Sequence, residues 1–397
     1  MVYQAHRDDA GALAALAGAF RDAAAREFPP TSPLYARLAA GAAGDGDLLA
    51  LVLAAPPAQR RATLLLAAVH DLLLADPGQP LAAWYLDLAP GAPATGDPYP
   101  AFRACCLAHR DALAHRLATR ATQTNEAGRC AGLLPAVATV ARLAGECPLA
   151  LIEIGASAGL NLRLDRYAYD YGAGRLAGDP HAPVRLTCAL RGPLAPPLLA
   201  TMPRIASRVG LDLAPLDARD PVAARWLRAC VWPEAAGRRA LLERALADAR
   251  DDPPPLVAGD ALAALPGLVA AIPRGTPICL FHTATLAYFA REERARFAAL
   301  VSTLAAGREL YWLSGEGPGP LHAAAYARAV AWRRASEEAR VTAGVPPASV
   351  HWLVLTTFRA GQATERLLAG MDPHGAWLEW LDDTSACASQ FPGAGCL

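Results

Sequence analysis

Two kinds of hydrophobic pattern divide this chain. Through the first 145 residues, apolar side chains recur every three or four positions, the spacing that lines them along one face of a helix. "GALAALAGAFRDAAAREF", "SPLYARLAAGAA", "AQRRATLLLAAVHDLLL" and "PAFRACCLAHRDALAHRLATRA" all read this way. Proline and glycine clusters such as "ADPGQP" and "APGAPATGDPYP" separate them. In the last of these helices Phe102, Cys106, Leu113 and Leu117 share a side, while Arg103, Arg110 and Asp111 can point outward. No strand of any length is legible in this region.

From Pro148 onward short, compact apolar runs take over. "LALIEI", "RVGLDLAPLD", "PLVAGD", "PICLFHT", "RELYWLS" and "HWLVLTTF" have the length of strands. Helical stretches such as "PVAARWLRAC", "AAGRRALLERALADAR" and "REERARFAALVSTLAAG" lie between most of them. Strand alternating with helix predicts an α/β fold with a mostly parallel, doubly wound sheet. "GAWLEWL" is expected to close the sheet, paired with "HWLVLTTF". The expected organisation is an all-helical region over residues 1–145 and a sheet domain over 146–397, with an inserted hairpin around 166–200. A loose tail, "TSACASQFPGAGCL", follows.

Composition narrows the function classes. The chain has 397 residues, 54% of them apolar but only 7% aromatic, so helices are expected to pack closely through small side chains. Formal net charge is zero and no basic run stands out, which argues against nucleic acid as an obligate partner. All 37 basic residues are arginine, so Schiff-base lysine chemistry is excluded. The nine cysteines are scattered without a C-x-x-C pair, suiting neither a disulfide framework nor a zinc site. No His/Asp/Glu set has metal-ligand spacing either. A reduced cytosol is the expected compartment. The N-terminal residues lack a signal-peptide pattern. "TLLLAAVHDLLLA" is broken by His70 and Asp71 and is too short to span a bilayer. A soluble, cytoplasmic protein acting on a small molecule is expected.

The candidate chemistry centres on "LALIEIGASAGLNL". Gly155-Ala156-Ser157-Ala158-Gly159 matches the G-x-S-x-G elbow of a serine hydrolase, with Ser157 as nucleophile. That elbow normally follows several strands of its own sheet; here a helical region precedes it. Asp260 and then His351 or His374 follow in the required order, which chance supplies easily among nine histidines. The same loop also reads as a cofactor turn. Gly155 and Gly159 would admit a ligand, the next helix would offer free N–H groups, and Glu153 would accept hydrogen bonds from the strand end.

In that second reading the stretch resembles the first motif of class I S-adenosylmethionine-dependent methyltransferases: strand, acid, one residue, glycine, three residues, glycine. The resemblance implies that Glu153, Gly155, Ala156, Ser157, Gly159 and Asn161 border the cofactor. It also implies that Asp212, preferred over Asp217, meets the ribose, and that Asp260 meets the adenine edge. "ICLFHTATLAYF" would then be the fourth strand and its catalytic loop. Gly155 and Asp212 lie 57 residues apart, against roughly twenty in a simple dinucleotide unit. The excess is the tyrosine-, glycine- and proline-rich insertion.

Four longer blocks resemble the signature of the bacterial domain-of-unknown-function 2332 family. They are "RATQTNEAGRCAGLLP", "IEIGASAGLNLRLDRYAYDYG", "RVGLDLAPLDARDP" and "RWLRACVWPE". This resemblance supports the methyltransferase-like sheet without naming a substrate.

Three further groups stand out. Gln123, Asn125, Glu126 and Arg129 crowd polar side chains at the start of a helix, either as its cap or as substrate ligands. Arg228 and Trp232 are a second candidate substrate contact, with Arg225 nearby; the tryptophans equally suit a core. His282 follows the fourth strand, where it would serve as general base or as a structural ring. Tyr288 and Glu316 are further catalytic candidates at neighbouring strand ends, whereas His70, His109 and His115 read as structural. The expected activity is methyl transfer from S-adenosylmethionine to a small molecule. A non-catalytic adenosyl-ligand-binding protein of the same fold is the alternative, and a serine hydrolase the third reading.

Overall fold

Helices build the first of two units, which comprises Met1–Thr124 and Arg219–Ala240. A computed structural model of the chain describes residues 2–29, 31–89, 91, 94–198, 201–317, 327–332, 334, 349–359 and 361–382. The helices in chain order begin with α1 (Val2–Asp22), α2 (Pro33–Ala42), α3 (Gly46–Val52), α4 (Ala62–Ala75), α5 (Tyr99–Ala108) and α6 (Arg110–Thr119). Ser32 caps α2 by accepting from Tyr35 N–H, ahead of a proline at the first helical position. Asp45 caps α3 by accepting from the N–H groups of Asp47 and Leu48. The run expected as one helix after residue 100 breaks at His109 into α5 and α6. Its predicted apolar side nevertheless holds, with Phe102, Cys106, Leu113 and Leu117 all buried.

The second unit comprises Asn125–Ala218 and Leu241–Leu397. The division therefore falls at three chain crossings rather than at one boundary near residue 145. α7 (Cys130–Leu143) belongs with the sheet, whereas α8 (Pro221–Ala229) belongs with the helices, and α9 (Ala236–Asp251) runs from one unit into the other. α10 (Ala261–Ala271) and α11 (Arg291–Ala305) are further helices of the second unit.

This second unit is a mixed α/β structure around a large, mostly parallel sheet. Its strands, in chain order, include β1 (Leu149–Ile154), then β2 (Ala168–Asp170), β3 (Leu176–Ala177), β4 (Arg185–Thr187) and β5 (Ala189–Arg191). β6 (Ile205–Asp212), β7 (Leu256–Ala258), β8 (Ile278–Thr283) and β9 (Leu310–Glu316) follow. β10 (His351–Arg359), β11 (Gln362–Met371) and β12 (Trp377–Trp380) come last. The nine-stranded order is β5-β12-β11-β10-β9-β8-β1-β6-β7, and the block from β9 to β7 is parallel throughout.

β1 and β8 are fully buried runs, as strands covered on both faces must be. One side chain set, including Ile152, Ile154, Leu280 and Trp312, packs with Leu265 of α10 and with Phe297 and Val301 of α11. α7 packs against β10 and β11.

Two sequence expectations need correction here. β12 pairs with β11 and not with β10, because β11 lies between them. β11 is hidden in the sequence because its first half, "QATER", is polar and largely exposed. The insertion is also more than a hairpin. β2, β3 and β4 form a small sheet of their own, while β5 joins the edge of the main sheet beside β12.

Among the described residues six cysteines are buried free thiols, and Cys147 is disulfide-bonded. No helix among the described residues is long and apolar enough to cross a membrane.

Candidate functional site

The glycine turn sits where β1 ends. Gly155, Ser157 and Gly159 all adopt left-handed backbone, with φ of +71°, +52° and +70°. Such a conformation is costly for serine, so neighbouring groups must hold it. They do. Ser157 N–H donates to Asp212 Oδ2 at 2.8 Å, and the Ser157 carbonyl accepts from Leu216 N–H at 3.0 Å. Asn125 Oδ1 accepts from both Ala158 N–H (3.1 Å) and Leu160 N–H (3.2 Å). Gly155 N–H and Ala156 N–H both donate to the Leu211 carbonyl.

This geometry changes the expected role of the glycines. A Cβ at Gly155 would overlap the Thr285 side chain, and one at Gly159 would meet Pro254 and Leu256. Both glycines admit protein rather than ligand. The helix expected after the turn is also different. Leu160–Arg166 is a 3-10 helix, and several N–H groups thought open to a ligand are already bonded to Asn125 and Asp212. Gly155→Ala should therefore destabilise the fold, by about 2–4 kcal/mol from left-handed strain and the Thr285 clash. Urea denaturation would measure it, and pairing the change with Thr285→Gly should recover part of the loss.

Glu153 points to the face that carries α7. It is buried, with Oε1 accepting from Asn161 Nδ2 at 3.0 Å, and Asn161 Oδ1 in turn faces Cys130 Sγ at 3.4 Å. Oε2 has no partner. Burial is the main cause that pushes this carboxyl up to about 8; the Asn161 hydrogen bond and Arg129 oppose the shift, and Asp212 adds to it. Near neutral pH Glu153 is thus largely a neutral acid with one uncommitted oxygen. Arg129 lies beside it, buried, with Nε donating to the Pro373 carbonyl at 2.9 Å and Nη1 reaching Thr283 Oγ1 at 3.4 Å. Glu126 Oε2 lies 3.3 Å from His374 Nδ1.

The opposite face of the sheet holds the other buried pair. His282 Nδ1 and Glu316 Oε1 are 2.8 Å apart, and neither side chain is exposed. The same Oε1 accepts from Thr285 N–H (2.8 Å) and Leu286 N–H (2.9 Å). Burial alone would raise the Glu316 carboxyl. The His282 hydrogen bond and charge, with the two backbone donors, instead hold it below the ordinary carboxylate range. The His282 ring packs against Phe297 and Trp312, and its Nε2 has no hydrogen-bond partner among the described residues. Buried in this way, His282 and Glu316 pin the loop after β8.

A family model described as an uncharacterized protein conserved in bacteria (DUF2332) matches residues 17–380. The chain belongs to the DUF2332 family. No curated protein and no solved structure matches it.

Other predicted site residues of this DUF2332 protein separate into groups. Asp212 and Asp260 both stand at carboxyl ends of parallel strands, but each also has a structural task. Asp212 accepts from Ser157 N–H and Ala214 N–H, and Asp260 caps α10 through Leu262 and Ala263. Four lone-pair sites per carboxylate leave capacity on both for a ligand. Ser157 Oγ is buried and makes no hydrogen bond to a histidine, so the paired nucleophile and base of a hydrolase are not assembled among the described residues. Tyr288 is 43% exposed on the loop after β8.

Asn125, Glu126 and Arg129 belong to the sheet unit, and Asn125 touches the glycine turn directly. Gln123, Arg228 and Trp232 belong to the helical unit. There Trp232 packs edge-on against Phe28, and the Gln123 backbone hydrogen-bonds Cys230. Sequence reasoning missed Thr285, whose methyl and hydroxyl fill the space beside Gly155 and whose Oγ1 bonds the Ile154 carbonyl at 3.2 Å. His351, named above only as a candidate hydrolase base, is a mostly buried ring pushed down to about 4 by burial and by Arg129.

Proposed function

We propose that the sheet unit is a Rossmann-like, methyltransferase-type unit and binds S-adenosylmethionine. The cofactor site lies at the carboxyl ends of β1, β6 and β7, and the protein methylates a small molecule. The observation that carries this reading is the order of the parallel strands. Counted along the chain they run third, second, first, fourth, fifth across the sheet, with an acid at or just beyond the end of each of the first three. Connections leaving β1 and β8 part in opposite directions at such a reversal and open a crevice, where ligands of doubly wound sheets bind.

In this crevice Asp212 and Asp260 offer their remaining lone pairs to cofactor hydroxyl and amine groups. Glu153 sits beneath the turn, neutral near pH 7. The cofactor supplies an electrophilic methyl group when bound. The protein's part is then alignment and exclusion of water, which is the dominant requirement for such a transfer. Because His282 is buried, the acceptor must bring a nucleophilic lone pair that needs no deprotonation by that ring. Tyr288 is the accessible member of the three catalytic candidates.

Burial of His282 also favours a second reading, in which the site binds an adenosyl ligand without turnover. Formation of S-adenosylhomocysteine separates the two. Incubating the protein with S-adenosylmethionine and a panel of small amine, thiol and carboxylate acceptors should give product only when one acceptor is present. Binding without product across a broad panel would leave the non-catalytic reading.

A further inference from the structure

The helical unit contains a cluster of arginines that the proposed cofactor site does not use. Asp71 on α4 is buried, and each of its oxygens is taken by a different arginine. Oδ2 accepts from Arg116 Nε on α6 and Oδ1 from Arg225 Nε on α8, both at 2.9 Å. This fork ties three helices together and fixes two guanidinium groups side by side. Arg116 commits Nη1 to the Ala112 carbonyl at 3.0 Å. Its Nη2 and both Nη groups of Arg225 have no protein acceptor among the described residues. Arg120 lies 5.7 Å from the centre of the Trp226 ring and hydrogen-bonds no protein acceptor among them either.

All three arginines line one cavity of about 370 Å³, together with Asp71, His115 and Thr119. Three guanidinium groups meet one carboxylate there, so the cavity carries two positive charges in excess. The carboxylate is screened from a ligand because both its oxygens already accept from Nε groups. Solvated surface arginines spread apart; these are held together by a buried anchor and an aromatic face. Their free N–H groups suit a planar, multidentate match to phosphate oxygens. A phosphate monoester near neutral pH carries close to two negative charges, which fits the excess; a single carboxylate balances only half of it.

We propose that this cavity binds the phosphoryl group of a small phosphate-bearing molecule. The size of the cavity falls within the range for small-ligand pockets. Glycerol 3-phosphate should therefore bind more tightly than inorganic phosphate if the ligand extends past the phosphoryl group, and equally if free phosphate is the natural occupant.

Titration calorimetry of the full chain with each of these probes tests the assignment, with sodium chloride at matched ionic strength as the control for screening. Saturable one-to-one binding is expected. Arg120→Ala should weaken it about tenfold or more, because Arg120 anchors no other group through a hydrogen bond. Arg225→Lys, which keeps the charge and loses the fork, should weaken it as well. Circular dichroism confirms that each variant is folded. A response no larger than that of chloride would overturn the assignment, as would unchanged phosphate affinity in both folded variants.

Discussion

Replacing Glu316 by alanine should lower the unfolding free energy by about 3–5 kcal/mol at pH 7. One oxygen of this buried carboxylate accepts from His282 Nδ1, Thr285 N–H and Leu286 N–H. Alanine would leave all three donors buried without a partner, and would release the loop that fills the space beside Gly155. Glu316→Gln keeps an acceptor oxygen and should recover part of the loss. Acid should narrow the difference between wild type and the alanine variant. The folded carboxyl is held below its ordinary value, so its stabilising effect is present above pH 4.5 and is lost as pH falls through the lower, folded value. Urea denaturation at pH 7 and at pH 3 measures both statements. A cost below about 1 kcal/mol at pH 7 would mean that Glu316 does not anchor this loop.

The second large effect has the opposite sign in pH. Glu153 is raised to about 8 in the folded chain from an ordinary 4.5. Between those values the folded state holds a proton that the unfolded state has released, so stability falls as pH rises. The contribution is complete below pH 4.5 and is lost as pH climbs to 8. Glu153→Gln keeps the shape and cannot ionise. From pH 5 to pH 8 the wild type should lose about 3 kcal/mol more than this variant. Parallel stability curves for the two proteins would show that Glu153 titrates normally.

Much of the fold was legible because burial on both sheet faces imposes continuous apolar runs. β1 and β8 have such runs and were found from pattern alone. β11 was not, since its polar first half imitates a loop. The short strands of the insertion, two or three residues each, are below what periodicity can resolve.

At the site, residue types were legible and partnerships were not. The polar crowd around Asn125 was visible, yet its target lies 33 residues on, at Ala158 N–H. His282 and Glu316 were each named from their strand ends. Only the parallel register of β8 with β9 brings them together, and that register turns both away from solvent. The glycines read as space for a ligand because sequence does not reveal that Thr285 fills it at Gly155, and Pro254 with Leu256 at Gly159.

The central claim is that the crevice beside the glycine turn takes an adenosyl cofactor. Isothermal titration of the wild-type chain with S-adenosylmethionine, and separately with S-adenosylhomocysteine, tests it most directly. The proposed site predicts saturable one-to-one binding of both, in the micromolar range or tighter, near −8 kcal/mol or below as an order of magnitude. Asp260→Asn should weaken binding while leaving the α10 cap its acceptor oxygen, and Asp212→Asn should weaken it while keeping one of that side chain's two acceptors. Heats no larger than dilution for both ligands would contradict the claim.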